Sequence, residues 1–389
     1  MNRLTTLLAA TLLVAVAPGG ALAAPAAGPT GPHASTTGAA AAAQQNCTFP
    51  VSRVDATGTN VTVPADPERV VVLAPSAAQV MWELDEEESV VGLPTGPTTA
   101  YLENSQNRTD VTNPDGTVNT EKVVGLQPDL VLAPNIVPNS TVDQLRRAGL
   151  TVYKVGFGRS LESITTKVTL FGRFTGACDR AATVNAEFNA TLEEIRANAP
   201  EDRPRVVYFF YNFTTGSGTF IHEAIEVAGG DNIAANAGLS GYKPLNEEIV
   251  AERNPQWVVR PAGSPLPSGP PWNGTDAYVL GQTLTVNNNL ISQPGPRVVQ
   301  PMQNMSEAFQ STRQVPTATP TPTAMPTAMS TPTPTATATP TATAPTTDGG
   351  DGGETPEPGT DSGGQPGFGL VTALVAAAVV AVALSRRRA

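Results

Sequence analysis

Residues 119–134 and 246–261 of this 389-residue chain carry one pattern twice, at a constant offset of 127 residues. Asn119 matches Asn246, Glu121 matches Glu248, Val123 matches Val250, Pro128 matches Pro255, Val131 matches Val258 and Pro134 matches Pro261. In each copy an Asn suited to capping a helix precedes a Glu, and the helix dipole favours negative charge in a first turn. A short helix follows. The Pro ends it by disfavouring helical backbone at the residue before it, and an apolar strand begins.

A second echo lies upstream of each copy. Glu68–Pro75 reads as a buried strand, followed by a candidate helix through Ala77–Leu84 and a further strand at Val90–Leu93. Arg205–Phe210 is a similar strand, followed by a turn and a helix from Phe220 to Ala228. Continuous Val-rich runs alternating with helices indicate α/β layers whose parallel strands are covered on both faces. Between the halves, Val184, Phe188, Leu192 and Ile195 recur at helical spacing within Ala177–Ala199. The expected fold is therefore α/β: two Rossmann-like lobes joined by one long rigid helix.

Composition divides the rest. Residues 1–23 combine Arg3, an apolar run from Leu4 to Ala17 and an Ala21-Leu22-Ala23 cleavage pattern, as in a secretory signal peptide. Residues 24–46 are an Ala/Gly/Pro/Thr-rich linker, expected to be disordered. The N-terminal lobe is assigned to 47–176, the connecting helix to 177–199 and the C-terminal lobe to 200–313. A repetitive Thr/Pro/Ala tract at 314–364 lacks the apolar content to fold and reads as a glycosylated stalk. Residues 365–389 hold Pro366-Gly367-Phe368, an apolar run from Gly369 to Leu384 and the basic tail Arg386–Arg388. This end resembles the PGF-type sorting signal of haloarchaeal surface proteins. The resemblance implies cleavage by an archaeosortase and a lipid anchor, with the body on the extracellular face of the membrane.

The chain has 34 Asp+Glu against 23 Lys+Arg, and only four of those bases are Lys. Such an acidic surface stays solvated at high salt and argues against nucleic acid as a partner. Eight N-x-[ST] sequons, at Asn46, Asn60, Asn107, Asn139, Asn189, Asn212, Asn273 and Asn304, suit an exported glycoprotein. Cys47 and Cys178 are the only cysteines. Their even number in an oxidising compartment favours a disulfide, and two His leave too few ligands for a metal site.

The stretches "VDATGTNVTVPADPERVVVLAPSAAQVMWEL", "VVGLQPDLVLAP", "LRRAGLTVY", "TFIHEAIEVAGGDNIA" and "NEEIVAERNPQWVV" resemble the helical-backbone periplasmic binding proteins for vitamin B12, ferric siderophores and haem. Within that class they are most like corrinoid-uptake binding proteins of haloarchaea. The resemblance implies a small-molecule ligand, a corrinoid or iron chelate, held between the lobes with modest closure. It also implies delivery to the permease and ATPase subunits of an ABC importer. Ligand contacts are expected in loops after the strands, from Ser76 and Tyr101 in the first lobe and from Tyr211, Asn212, Phe213 and Tyr242 in the second. Tyr242 falls where B12 binders place an aromatic against the corrin. Glu121 and Glu248 fall where those proteins present one Glu per lobe to arginines of the permease, and they also suit helix starts in their own right. His222 stands either as an axial ligand or as a hydrogen-bonded structural residue. No G-x-S-x-G, H-E-x-x-H or P-loop is present, so neither an enzyme nor a resident cofactor is expected. A structural cell-surface protein could share the stalk and anchor, but it would not need the duplicated Glu-bearing lobes.

Overall fold

The structure, a computed structural model, describes residues 47–314. The signal segment, the linker with Asn46, the Thr/Pro stalk beyond Gln314, and the sorting signal with its apolar run and basic tail lie outside the described residues.

An antiparallel hairpin opens the described chain, with β1 (Val51–Val54) paired to β2 (Asn60–Val63). The N-terminal lobe follows in the order β3 (Val70–Val72), α1 (Pro75–Glu83), β4 (Val90–Leu93), β5 (Thr109–Asp110), α2 (Thr120–Gly125), β6 (Leu130–Ala133), α3 (Asn139–Arg147), β7 (Val152–Lys154) and α4 (Leu161–Phe174). Its sheet is wholly parallel, with strand order β5-β4-β3-β6-β7. Val70 and Val72 pack into one core beneath α1 and α4, while Val71 and Leu73 pack into another on the opposite face. A strand buried on both sides cannot afford polar alternation, which explains the unbroken valine run.

Helix α5 (Cys178–Ala197) leads to the C-terminal lobe. That lobe contains β8 (Arg205–Tyr208), β9 (Phe213–Thr215), α6 (Phe220–Val227), β10 (Asp231–Asn232), α7 (Ile233–Asn236), β11 (Tyr242–Pro244), α8 (Glu247–Arg253), β12 (Trp257–Pro261), α9 (Asp276–Val279), β13 (Thr283–Val286), α10 (Asn288–Ile291) and α11 (Val299–Gln310). A second parallel sheet has the order β10-β8-β12-β13, and β9 pairs antiparallel with β11 as a separate ribbon. Val206 and Tyr208 face one core and Val207 and Phe209 the other, repeating the alternation of β3.

The repeat has a structural counterpart. Asn119 caps α2 by accepting from the Lys122 amide at 2.9 Å, and Asn246 caps α8 by accepting from the Glu248 amide at 2.9 Å. The strand after each, β6 or β12, lies beside the first strand of its own parallel sheet, β3 or β8, which is an inner strand in both. The stripe on α5 serves both lobes. Val184 joins the N-terminal core, while Phe188, Leu192 and Ile195 join the C-terminal one. One rigid helix thus has a foot in each core, so bending it would disrupt packing at both ends.

Cys47 and Cys178 form a disulfide with Cα atoms 5.8 Å apart. It ties the segment ahead of the hairpin to the first residue of α5.

Candidate functional site

In parallel α/β sheets the loops at the carboxyl ends of the strands form the crevice where ligands bind. Here those ends of the two sheets converge. The segment after β13 reaches back to the loop after β4: Asn289 Nδ2 donates to Pro97 O at 2.8 Å and Gln293 Nε2 to Thr98 O at 3.0 Å. The Tyr101 hydroxyl donates to Gln293 Oε1 at 3.0 Å and accepts from Gln79 Nε2 at 2.8 Å. Gln79 Oε1 in turn accepts from the Arg297 amide at 3.1 Å, and the Arg297 guanidinium pairs with Glu83. Gly295 makes this approach possible, because a Cβ there would lie 2.1 Å from Gln79 Oε1. The strap from Asn289 to Arg297 is therefore a second connection between the lobes, made of hydrogen bonds across about 200 positions of sequence. It limits hinge opening in a way that a single helix would not.

Lys167 on α4 sits beneath the strap. It is buried, and its ammonium donates to Pro294 O and, at 3.4 Å, to Ser76 O. Burial pushes its pKa from 10.5 down to about 7. Between those values the unfolded chain holds one proton more than the folded one, so stability rises with pH by up to about 1.4 kcal/mol per unit. Below pH 7 both states carry the charge and the full penalty of burying it is present. Urea titrations at pH 6, 7 and 8 are expected to show wild-type stability climbing over the last step. Lys167→Met is expected to lose that climb; equal slopes in the two proteins would contradict this placement of the charge. The range stops at pH 8 because Lys154, also lowered by burial, to about 8, contributes above it.

The remaining sequence-derived residues divide by environment. Ser76 is buried in the first turn of α1, behind Pro75, with its carbonyl held by Lys167. The ring of Tyr101 lies under the Arg297 guanidinium, 5.6 Å from its centre, so its hydroxyl and one face serve the lobe junction. Tyr211 and Asn212 form a two-residue turn from β8 to β9, with φ of 46° and 68°. Reciprocal backbone bonds between Phe210 and Phe213, at 3.0 and 2.8 Å, close it. Left-handed backbone is strained for a Tyr and marks a position that the surroundings must hold. The Tyr211 hydroxyl donates to Gly263 O at 2.9 Å and its amide to Ser264 Oγ at 3.2 Å, which supply that hold.

Phe213 and Tyr242 belong to the β9–β11 ribbon, where Phe213 pairs with Pro244 and Tyr242 with Thr215. The Phe210 ring lies 5.9 Å from Phe213 and 6.1 Å from Tyr242, the latter edge-on. Phe213 and Tyr242, half-buried, pack with the buried Phe210 as an aromatic wall on the second lobe. Burial raises the Tyr242 phenol above its ordinary value, so it stays neutral at physiological pH. Glu121 and Glu248 are exposed in the first turns of α2 and α8. His222 Nδ1 meets the Asn232 amide nitrogen at 3.3 Å, and its backbone N–H donates to the cap Thr219. Among the described residues no three His, Cys, Asp or Glu side chains gather as a metal site, and no helix is long and apolar enough to cross a membrane.

Two α/β lobes joined by one rigid helix and by the strap have the architecture of a two-lobe binding protein. The chain belongs to the periplasmic binding protein family, whose model matches residues 70–285. It is 41% identical over 329 residues to the cobalamin-binding protein of Halobacterium salinarum, covering 80% of this chain and 85% of that one. It is 27% identical over 282 residues to an uncharacterized ABC transporter substrate-binding lipoprotein of Bacillus subtilis, YvrC, covering 69% and 88%. The fold matches that of the periplasmic heme-binding protein RhuT from Roseiflexus sp. RS-1 with a TM-score of 0.57 at 23% identity, over 62% of this chain and 98% of that one. The family is a class of substrate-binding proteins, and its ligands are small molecules.

Sequence reasoning missed Gln79, Gln293, Asn289 and Lys167 as determinants of the junction. The only local signal was a Lys inside the otherwise amphipathic run Ser163–Phe174.

Proposed function

We propose that this chain captures a corrinoid outside the cell and delivers it to the permease and ATPase subunits of an ABC importer. The likeness to the Halobacterium cobalamin-binding protein over most of both chains carries this reading. The aromatic wall of Phe210, Phe213 and Tyr242 supports it, because stiff apolar rings suit the face of a macrocycle. On this reading Tyr211, Asn212 and Tyr101 border the same cleft with Ser76 buried behind Pro75, and Glu121 and Glu248 present one carboxylate per lobe to the permease. After secretion the C-terminal segment would be exchanged by an archaeosortase for a lipid anchor, leaving the lobes on a glycosylated stalk at the outer face of the membrane.

Tyr242→Ala tests the site. Losing an aromatic that becomes buried against the ligand costs about 1.5–3 kcal/mol, or roughly a ten- to hundredfold weaker Kd for cyanocobalamin. Calorimetric titration of the variant beside wild type reads this directly. Equal affinities would remove Tyr242, and the wall with it, from the ligand site.

A further inference from the structure

Few large apolar side chains stand in solvent among the described residues, and Phe157 is the one aromatic among them, 42% exposed. It sits in the loop from β7 to α4, at the carboxyl end of the N-terminal sheet. The Arg159 guanidinium lies 5.3 Å from its ring centre, and Arg159 makes no hydrogen bond or ion pair with another described residue. The loop is held at both ends. The Val155 amide donates to Ala133 O at 2.9 Å, and Ser160 caps α4 through a reciprocal bond with Ser163. The loop also meets the other lobe: Glu223 of α6 accepts from the Leu161 amide at 2.7 Å, and Gly158 lies so close to Pro294 of the strap that a Cβ would come within 3.1 Å. An exposed ring on a pinned loop between two lobes has been kept out of both cores.

The neighbouring loop, after β6, shows the same arrangement. The buried Lys154 ammonium donates to the carbonyl oxygens of Pro134, Asn135 and Val137. Those backbone groups turn inward, and Ile136 stands 52% exposed. Strands β6 and β7 are adjacent and parallel, so the loops that carry the exposed Ile136 and Phe157 leave neighbouring strands at the carboxyl edge of the sheet.

We infer that Phe157, Arg159 and Ile136 form the first lobe's half of the ligand site, across the cleft from Tyr242 and Phe213. They would take a broad planar ligand whose periphery carries carbonyl or phosphate oxygens. Phe157 and Ile136 cover its apolar surface, and Arg159 donates to the oxygens at its edge. This rests on the corrinoid reading above and adds an aromatic to the first lobe's side of the site, where the Tyr101 hydroxyl and one ring face are already engaged at the lobe junction. A solute fits this patch better than a protein partner because the loop abuts the strap of the opposite lobe and so lies at the cleft itself.

The test is titration of the full-length secreted protein with cyanocobalamin and cobinamide, comparing wild type, Phe157→Ala, Phe157→Tyr, Arg159→Ala and Tyr242→Ala. Phe157→Ala is expected to weaken binding about tenfold and Arg159→Ala several-fold, with Phe157→Tyr restoring most of the affinity. Thermal midpoints should not fall, since both side chains are exposed. Wild-type affinity in Phe157→Ala and Arg159→Ala, with Tyr242→Ala weakened, would overturn this inference and leave the corrinoid reading intact. Wild-type affinity with impaired cellular uptake would assign the patch to the permease and overturn it too. Absence of corrinoid binding by wild type would overturn both.

Discussion

Removing the Cys47–Cys178 bridge, by reduction or by the paired change Cys47→Ala with Cys178→Ala, is expected to lower the unfolding free energy by about 5 kcal/mol. The figure follows from the 131-residue separation of the two cysteines, since a crosslink that closes so long a loop removes much of the freedom of the unfolded chain. The native side points the same way. The bridge pins the start of the described chain to α5, and Val51, Val61 and Val63 of the adjacent hairpin are part of the N-terminal core. Freed at that end, the hairpin can leave the core and expose it. For a body of this size the loss corresponds to roughly 10–20 °C in Tm. Calorimetry with and without reductant measures it, and a shift under about 2 °C would show that the bridge is incidental to stability.

The second large effect concerns delivery. Glu121→Arg together with Glu248→Arg is expected to reduce importer-dependent corrinoid uptake at least tenfold while leaving Kd for cyanocobalamin unchanged. Both carboxylates are exposed at helix starts, and each stands at the same place in its repeat, so a two-fold permease would meet one on each lobe. Reversing both places like charges opposite the arginines that the resemblance implies, and like-charge juxtaposition at an interface is costly. Helix capping is preserved because Asn119 and Asn246 perform it themselves. Uptake at the wild-type rate would show that the two Glu serve only their helices.

The division into two lobes was legible because the repeat and the buried strands are local patterns. Valine runs at Val70–Val72 and Val206–Val207 reported burial on both faces, and the four-position spacings of α5 reported a packed helix. That one stripe feeds two cores was not legible, since spacing shows that a face is buried and not what it meets. The aromatic cluster of the second lobe was partly legible, since Tyr211, Phe213 and Tyr242 are aromatics near predicted strand ends. Their gathering depends on the β9–β11 ribbon, whose pairing across 27 or more positions has no marker in three-residue strands. The strap was invisible for a plainer reason. Gln79, Tyr101 and Gln293 are polar residues in segments that read as helix and loop, and their meeting is a property of the tertiary fold. Lys154 and Lys167 look like solvated cations until their burial is seen, and Phe157 sits in a Gly-Phe-Gly sequence that reads as a turn.

Calorimetric titration of the full-length secreted protein with cyanocobalamin at high salt tests the proposed function most directly. One-to-one binding with a Kd of about 1 µM or tighter is the expected result, corresponding to roughly 8 kcal/mol of binding free energy. Absence of heat with both cyanocobalamin and cobinamide, while haem or a ferric hydroxamate binds to the same preparation, would contradict corrinoid capture.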